Sequence, residues 1–213
     1  MADRRTQIAE AGVRVLSSRG ARALTHRAID EELGLATGST SYYARSRREL
    51  VNLIVGYLAG RTEGELIAPR LPEVITPASI AGLLVDELDA TTQHADEYRA
   101  RLLLLLEYHD DAEVQAALTT SPEVQRAFIA TASSVLELLE VAEPAKQARG
   151  LIGLLDGLRA RRIAGGLAVD EREILTAYLA GLPRVEAGAG RPAANPAAAA
   201  RGMLNRIRRP GRQ

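Results

Sequence analysis

ELGLATGSTSYYARSRREL, residues 32–50, is written for a surface rather than for a core. Tyr42 and Tyr43, two of only six tyrosines in 213 residues, stand behind Gly38 and the hydroxyl residues Thr37, Ser39, Thr40 and Ser41. Arg45, Arg47 and Arg48 follow them. Yet Leu33, Leu35 and Leu50 bracket the stretch with apolar side chains that an unstructured linker would not need. Gly34 supplies a turn, because glycine enters the left-handed region without a Cβ clash, and two short helices can then cross steeply. Thr25 is the expected N-cap of the first of these helices, with Leu24 and Ile29 as a hydrophobic staple across its start. The second covers about residues 37–43. Ser46, Arg47, Arg48 and Glu49 have the S-x-x-E form of a capping box and open a long helix to about Ile67.

Working upstream, Ile8, Ala11, Gly12, Val15 and Leu16 recur at helical spacing over Arg4–Ser18, and Gly20 closes that helix. The first 50 residues therefore read as a helix-turn-helix unit, whose second helix of the pair enters the DNA major groove. Working downstream, the same punctuation repeats. APRLPEV (68–74) is a loop, and Thr76-Pro77 opens a helix to about His94, with Pro at its preferred first position. A helix over about Asp96–Asp110 carries the run Leu102–Leu106, apolar all round and so expected to be buried on every side. Helices over about Ala112–Leu118, Pro122–Val141 and Pro144–Ile163 follow, and Asp170 to Glu173 is a final D-x-x-E start before Gly181 and Pro183. The expected fold is all-α, with nine or ten helices and no strand.

Composition agrees. The apolar 46% is dominated by Ala, Leu, Val and Ile, aromatics are 3%, and cysteine is absent, which excludes disulfides and thiolate metal sites. No apolar run approaches the roughly 20 residues of a membrane span, so a cytoplasmic protein is expected. The net charge of zero conceals a pattern: residues 1–50 carry +3, residues 51–182 carry −9 and residues 183–213 carry +6. Polyanion contact is thus expected at the ends of the chain. Residues 183–213 lack apolar surface to bury and read as a basic disordered tail.

The landmarks Gly20, Thr25, Ile29, Gly34-Leu35, Gly38-Ser39 and Tyr43, followed by Ser46-Arg47 and Glu49-Leu50, are similar without insertion to the N-terminal signature of the TetR/AcrR family of one-component transcriptional regulators. GSTSYY resembles a subgroup reading G-S-T-T-Y-Y-F-x-S-R, and LLDGLRARR at 154–162 resembles a late-helix pattern of the family. The resemblance implies three parts: a helix-turn-helix DNA-binding domain over 1–50, a larger helical effector-binding and dimerisation domain over 51–182, and the tail over 183–213. It also implies a homodimer paired through the two long helices at Pro122–Val141 and Pro144–Ile163, a double-stranded operator, and a small-molecule effector whose identity the sequence leaves open. The expected function is a ligand-responsive repressor released from a pseudo-palindromic operator. The alternative is a small-molecule-sequestering protein with a weakened DNA-binding end.

Residue by residue, Thr25, His26 and Arg27 stand at the start of the first helix of the pair, where backbone N–H groups favour phosphate. Thr37, Ser39, Thr40 and Ser41 are short enough to let the backbone approach base edges, and a threonine methyl can touch a thymine methyl. By resemblance, Tyr42 and Tyr43 include a phosphate or sugar contact, with packing the other reading of Tyr43, and Arg47 takes the position of a phosphate clamp. Two residues depart from the family pattern. Ala36 replaces a common N-cap serine, which passes capping to Thr37, and Ala44 replaces a packing phenylalanine, which leaves Tyr43 to fill the space. The expected effector contacts are Tyr57, Glu87, Thr91, Tyr98, Arg101, Leu105, His109, Phe128 and Thr131. No cofactor or metal is expected. His109, Asp110 and Asp111 are consecutive, so their side chains diverge, and no Ser/His/Asp arrangement or phosphate-binding glycine loop points to an enzyme.

Overall fold

The computed structural model describes residues 3–62, 71–119 and 122–185. Among these it contains ten α-helices: α1 Arg4–Arg19, α2 His26–Glu32, α3 Ser39–Tyr43, α4 Arg47–Thr62, α5 Pro77–Thr92, α6 Ala95–Glu107, α7 Ala112–Leu118, α8 Pro122–Leu138, α9 Pro144–Ile163 and α10 Glu171–Gly181. The fold is all-α, as the periodicity requires. Among the described residues the one extended feature is an antiparallel bridge between Val141 and Arg184.

The helices form two compact units, one from α1–α4 with α6 and α7, the other from α5 and α8–α10. In the first, Ile8, Val15 and Leu16 of α1 meet Leu24 and Ile29 around α2, Leu50, Ile54 and Leu58 of α4, and Leu104 and Leu118 of α6 and α7. The staple pair Leu24 and Ile29 is buried as its spacing demands. Gly12 explains why α1 and α4 approach so closely: a Cβ there would lie 2.4 Å from Ile54 Cδ1. Gly12→Ala should therefore destabilise the protein by about 1–3 kcal/mol through overpacking. Chemical denaturation would show it as a lower midpoint with an unchanged slope.

Helix ends follow the sequence signals in most places. Asp3, Thr25, Asp111 and Asp170 each accept a backbone N–H in the first turn of α1, α2, α7 and α10 respectively. Gly20 ends α1 at φ 81°, and Gly34 follows α2 at φ 64°. The capping box at α4 forms with a shift. Ser46 Oγ accepts from the Glu49 N–H at 3.1 Å, while Glu49 reaches back to the N–H of Arg45 at 2.8 Å rather than to the cap residue itself.

Several expectations change. A turn of 3-10 helix, Ala21–Ala23, precedes α2. Helix α8 stops at Leu138, and Glu140 and Glu143 adopt positive φ in the reversal to α9. That reversal pairs with Pro183–Val185, where Ala142 N–H donates to Pro183 O and Val185 N–H to Glu140 O. The first residues of the expected tail are therefore fixed to the second unit, and the remainder lies outside the described residues, as does the end expected for the fourth helix. The run Leu102–Leu106 is not buried on every side. Only Leu104 is, and Leu106 is 73% exposed. Five consecutive helical residues point all round the axis, whereas α6 gives its unit's core a single stripe.

The second unit packs Ile80 and Leu88 of α5 against Leu136, Leu151 and Leu158 of α8 and α9 and Leu175 and Leu179 of α10. Its main polar tie is Arg162, in the last turn of α9. The guanidinium grips both Glu171 oxygens and reaches Asp89 at 2.6 Å and Thr92 at 3.3 Å. Those hydrogen bonds to Glu171 hold the Arg162 pKa above its ordinary value, so it stays charged.

Candidate nucleic-acid interface

Helix α3 has only five residues, far below the dozen or so that hold a helix together alone. Its surroundings must therefore fix it. Its N-cap is Gly38, at φ 94°, and no side chain of its own segment caps it. Thr37, the expected substitute for the missing serine, does not do so. The cap comes instead from Asp30 on α2. One Asp30 oxygen accepts from the Thr40 N–H at 2.8 Å and the Thr40 hydroxyl at 2.6 Å, and the other accepts from the Gly38 N–H at 2.7 Å. Asp30 is 2% exposed and Thr40 is 0%.

Burial pushes the Asp30 carboxyl up, but the Thr40 hydroxyl, the Thr40 and Gly38 N–H groups and the nearby His26 outweigh it. The net effect holds Asp30 below the usual carboxylate value, as expected of an acceptor of several N–H and O–H donors.

The other end of α3 is held from the same helix. His26 Nε2 lies 2.7 Å from the carbonyl oxygen of Ala44, the C-cap of α3. A carbonyl can only accept, so Nε2 carries the proton. Ala44 itself is fully buried, and Tyr43 packs against the same core. Tyr42 is 82% exposed, with its ring edge-on to Tyr43 at 5.1 Å. The two tyrosines thus divide the readings left open by their sequence: one faces solvent and the other packs.

The remaining expected contacts also separate. Thr25, Arg27, Thr37 and Ser41 are exposed. Thr25 uses its hydroxyl to accept from the Ala28 N–H at 3.1 Å, and Arg27 pairs with Glu31 at 2.8 Å on the surface of α2. Ser39 is half-buried and donates its hydroxyl to Ala36 O at 2.6 Å. The Thr40 side chain, expected at the DNA, faces inward to Asp30. Arg47, expected as a phosphate clamp, donates to Ala21 O at 3.0 Å and to Leu24 O, so its guanidinium fastens the segment before α2. Arg48 pairs with Asp111 and, at 3.0 Å, with Glu113, which ties α4 to the first turn of α7.

Asp30 carries no signal of its own in the sequence, standing first in a run of three acids with Glu31 and Glu32. Only its spacing of four residues from His26 distinguishes it.

The expected effector contacts fall in both units. In the first, Tyr57 and Leu105 pack against the core. Arg101 donates to Leu118 O and Leu58 O, each at 2.6 Å, and so staples α6 to α7 and α4. Tyr98 is half-buried. His109 is exposed, with Nε2 3.1 Å from Asp110, and lies on an open depression of about 440 Å³ along Glu107–Glu113. Asp111 caps α7. Among the described residues no group of three or more His, Asp or Glu side chains could hold a metal ion. In the second unit, Glu87 is exposed, Thr91 lies on α5, Phe128 is 41% exposed and Thr131 is half-buried.

Two short helices crossing at a glycine turn, the second presenting Ser41 and Tyr42 outward, are the geometry of a helix-turn-helix DNA-binding protein. Residues 76–185, just over half of the chain, match the family model described as the tetracyclin repressor-like C-terminal domain. The chain belongs to the TetR family, whose members are transcriptional regulators.

Solved structures share the fold. A TetR-family transcriptional regulator from Rhodococcus sp. is 18% identical with a TM-score of 0.57, over 85% of this chain and 99% of that one. The multidrug binding protein EbrR in complex with imidazole is 23% identical with a TM-score of 0.53, over 88% of this chain and 99% of that one. The same protein in complex with malachite green is 24% identical with a TM-score of 0.53, over 85% and 99%. No curated protein matches the chain significantly. Among the described residues no helix is long and apolar enough to cross a membrane.

Proposed function

We propose that this chain is a homodimeric repressor that leaves a pseudo-palindromic operator when a small molecule binds. The observation that carries the reading is the outward face of α3, where Ser41 and Tyr42 stand exposed on a helix held from behind by α2. Thr37 in the preceding turn, Thr25 and Arg27 at the start of α2, and Arg45 beyond α3 are exposed as well and complete the proposed contact set. His26 and Thr40 support that face from within, while Arg47, itself exposed, fastens the segment before α2. Residues 1–50 are the DNA-reading part and 51–182 the effector and dimerisation part. The small organic molecules named with EbrR support an effector of that kind. Pairing through α8 and α9 would make a two-fold dimer, which offers one α3 to each half-site of a pseudo-palindromic operator.

The test is selection from a randomised duplex library by the purified protein, with light scattering for its oligomeric state. A selected duplex with two inverted half-sites about one turn apart, bound by a dimer with a steep salt dependence, is the expected result. Equal affinity for selected and scrambled duplexes would refute the reading. Within it, Tyr42→Phe should weaken binding to the selected duplex about tenfold, the loss of one hydroxyl bond to a charged phosphate. Fluorescence anisotropy titration measures this directly.

A further inference from the structure

We infer that His26 and Asp30 form a two-point clasp that sets the orientation of α3 for operator selection, and that both are positioning residues rather than DNA contacts. The inference rests on the proposed DNA-facing role of α3. The two residues are four apart and therefore share one face of α2. Asp30 takes the N–H groups at the start of α3, and His26 gives an N–H to the carbonyl at its end.

The chemistry suits each end. A helix begins with N–H groups lacking partners and ends with carbonyls lacking partners. The carboxylate answers the first need and the imidazole N–H the second, and each matches the sign of the helix dipole it faces.

Beyond the clasp, the buried C-cap residue Ala44 is what ties α3 to the core. Thr40 is its one buried residue, and the Thr40 hydroxyl is itself part of the clasp. Tyr43 adds only partial burial. With five residues and no N-terminal cap of its own, α3 depends on α2 to hold its axis. Ser41 and Tyr42 project from that axis, so a small rotation moves both relative to a base edge. Non-specific attraction to phosphates depends on charge and tolerates such a rotation, whereas base contacts do not. A loosened clasp should therefore cost selectivity first.

The experiment uses the full-length protein and the duplex that it selects, against a scrambled duplex of equal length. Thr40→Val removes the hydroxyl at constant shape, and His26→Ala removes the ring. Thr40→Ser and His26→Gln restore a hydroxyl and an N–H donor. Thr40→Val and His26→Ala should each weaken binding to the selected duplex about tenfold, the size of a lost helix cap. Affinity for the scrambled duplex and the salt slope should stay close to those of the unsubstituted protein, with melting still cooperative at the assay temperature. Thr40→Ser and His26→Gln should recover most of the affinity.

The clasp is overturned if Thr40→Val and His26→Ala bind the selected duplex normally, or if both duplexes lose affinity in parallel. It is also overturned if His26→Gln fails to rescue and the salt slope falls by about one, which marks a direct phosphate contact. An unsubstituted protein that selects no duplex sinks the DNA-binding reading and the clasp's role with it. Intact selection with Thr40→Val and His26→Ala both silent sinks the clasp alone.

Discussion

Asp30→Ala should destabilise the N-terminal unit by about 3 kcal/mol, because it strands the Thr40 N–H and hydroxyl in a fully buried site at about 1–3 kcal/mol per unmet group. The Gly38 N–H adds less, since Gly38 is exposed and water can replace the carboxylate there. Against a typical total of about 5–15 kcal/mol this is a large fraction. Urea unfolding monitored by circular dichroism would measure it. A loss below about 1 kcal/mol would mean that solvent reaches Thr40 easily and that the carboxylate is dispensable.

The same site fixes a pH dependence. The folded-state pKa of Asp30 is depressed, so its stabilising contribution is complete above the unfolded value of about 3.9 and is lost as pH falls through the lower folded value. Asp30→Asn retains an acceptor for Thr40 but turns an amide N–H toward the Gly38 N–H. The stability gap between Asp30→Asn and the unsubstituted protein should persist from about pH 8 to pH 5. It should narrow only below about pH 4. A gap that already closes near pH 6 would show that another group controls the clasp.

Arg162→Ala should cost the second unit about 2–3 kcal/mol. Its guanidinium grips Glu171, whose side chain is only 10% exposed, and removing it leaves that carboxylate buried without its partner. Breaking a buried pair costs about 3–5 kcal/mol, and the 23% exposure of the Arg162 side chain lowers the figure. The Asp89 contact adds little, since Asp89 is 63% exposed and solvent screens it. Asp89 lies in the last turn of α5, where a negative charge opposes the helix dipole, and Glu171 lies in the first turn of α10, where it is favoured. Arg162→Lys should recover less than half of the loss, because an ammonium cannot span both Glu171 oxygens and Asp89 at once. Thermal melting of the three proteins distinguishes these results. Equal melting points would show that the tie contributes nothing.

The features legible in sequence were those that depend on near neighbours. Thr25 caps the helix that begins one residue later, Leu24 and Ile29 staple across one turn, and Pro144 starts a helix whose ends match the expected ones. Helix periodicity, caps and glycine turns are set by contacts within about four residues, and together they carried the all-α fold and the helix-turn-helix spacing. The GSTSYY segment carried the family resemblance in the same local way.

What the sequence could not express is how the side chains of that segment are divided between surface and interior. Thr40 and Ser41 are adjacent short hydroxyl residues, yet one is sealed against Asp30 and the other faces solvent. Tyr42 and Tyr43 split likewise. A five-residue helix has no periodicity long enough to declare its buried face, and its cap lies on another helix ten residues earlier. Arg47, expected as a phosphate clamp, also reaches the carbonyls of Ala21 and Leu24, partners that carry no sequence identity. The sequence by itself determined the helices, their order and the segment proposed to meet DNA. Folding determined which of that segment's polar groups remain exposed, because buried donors and acceptors must find partners wherever the chain brings them, and here α2 supplies those partners to α3 at both ends.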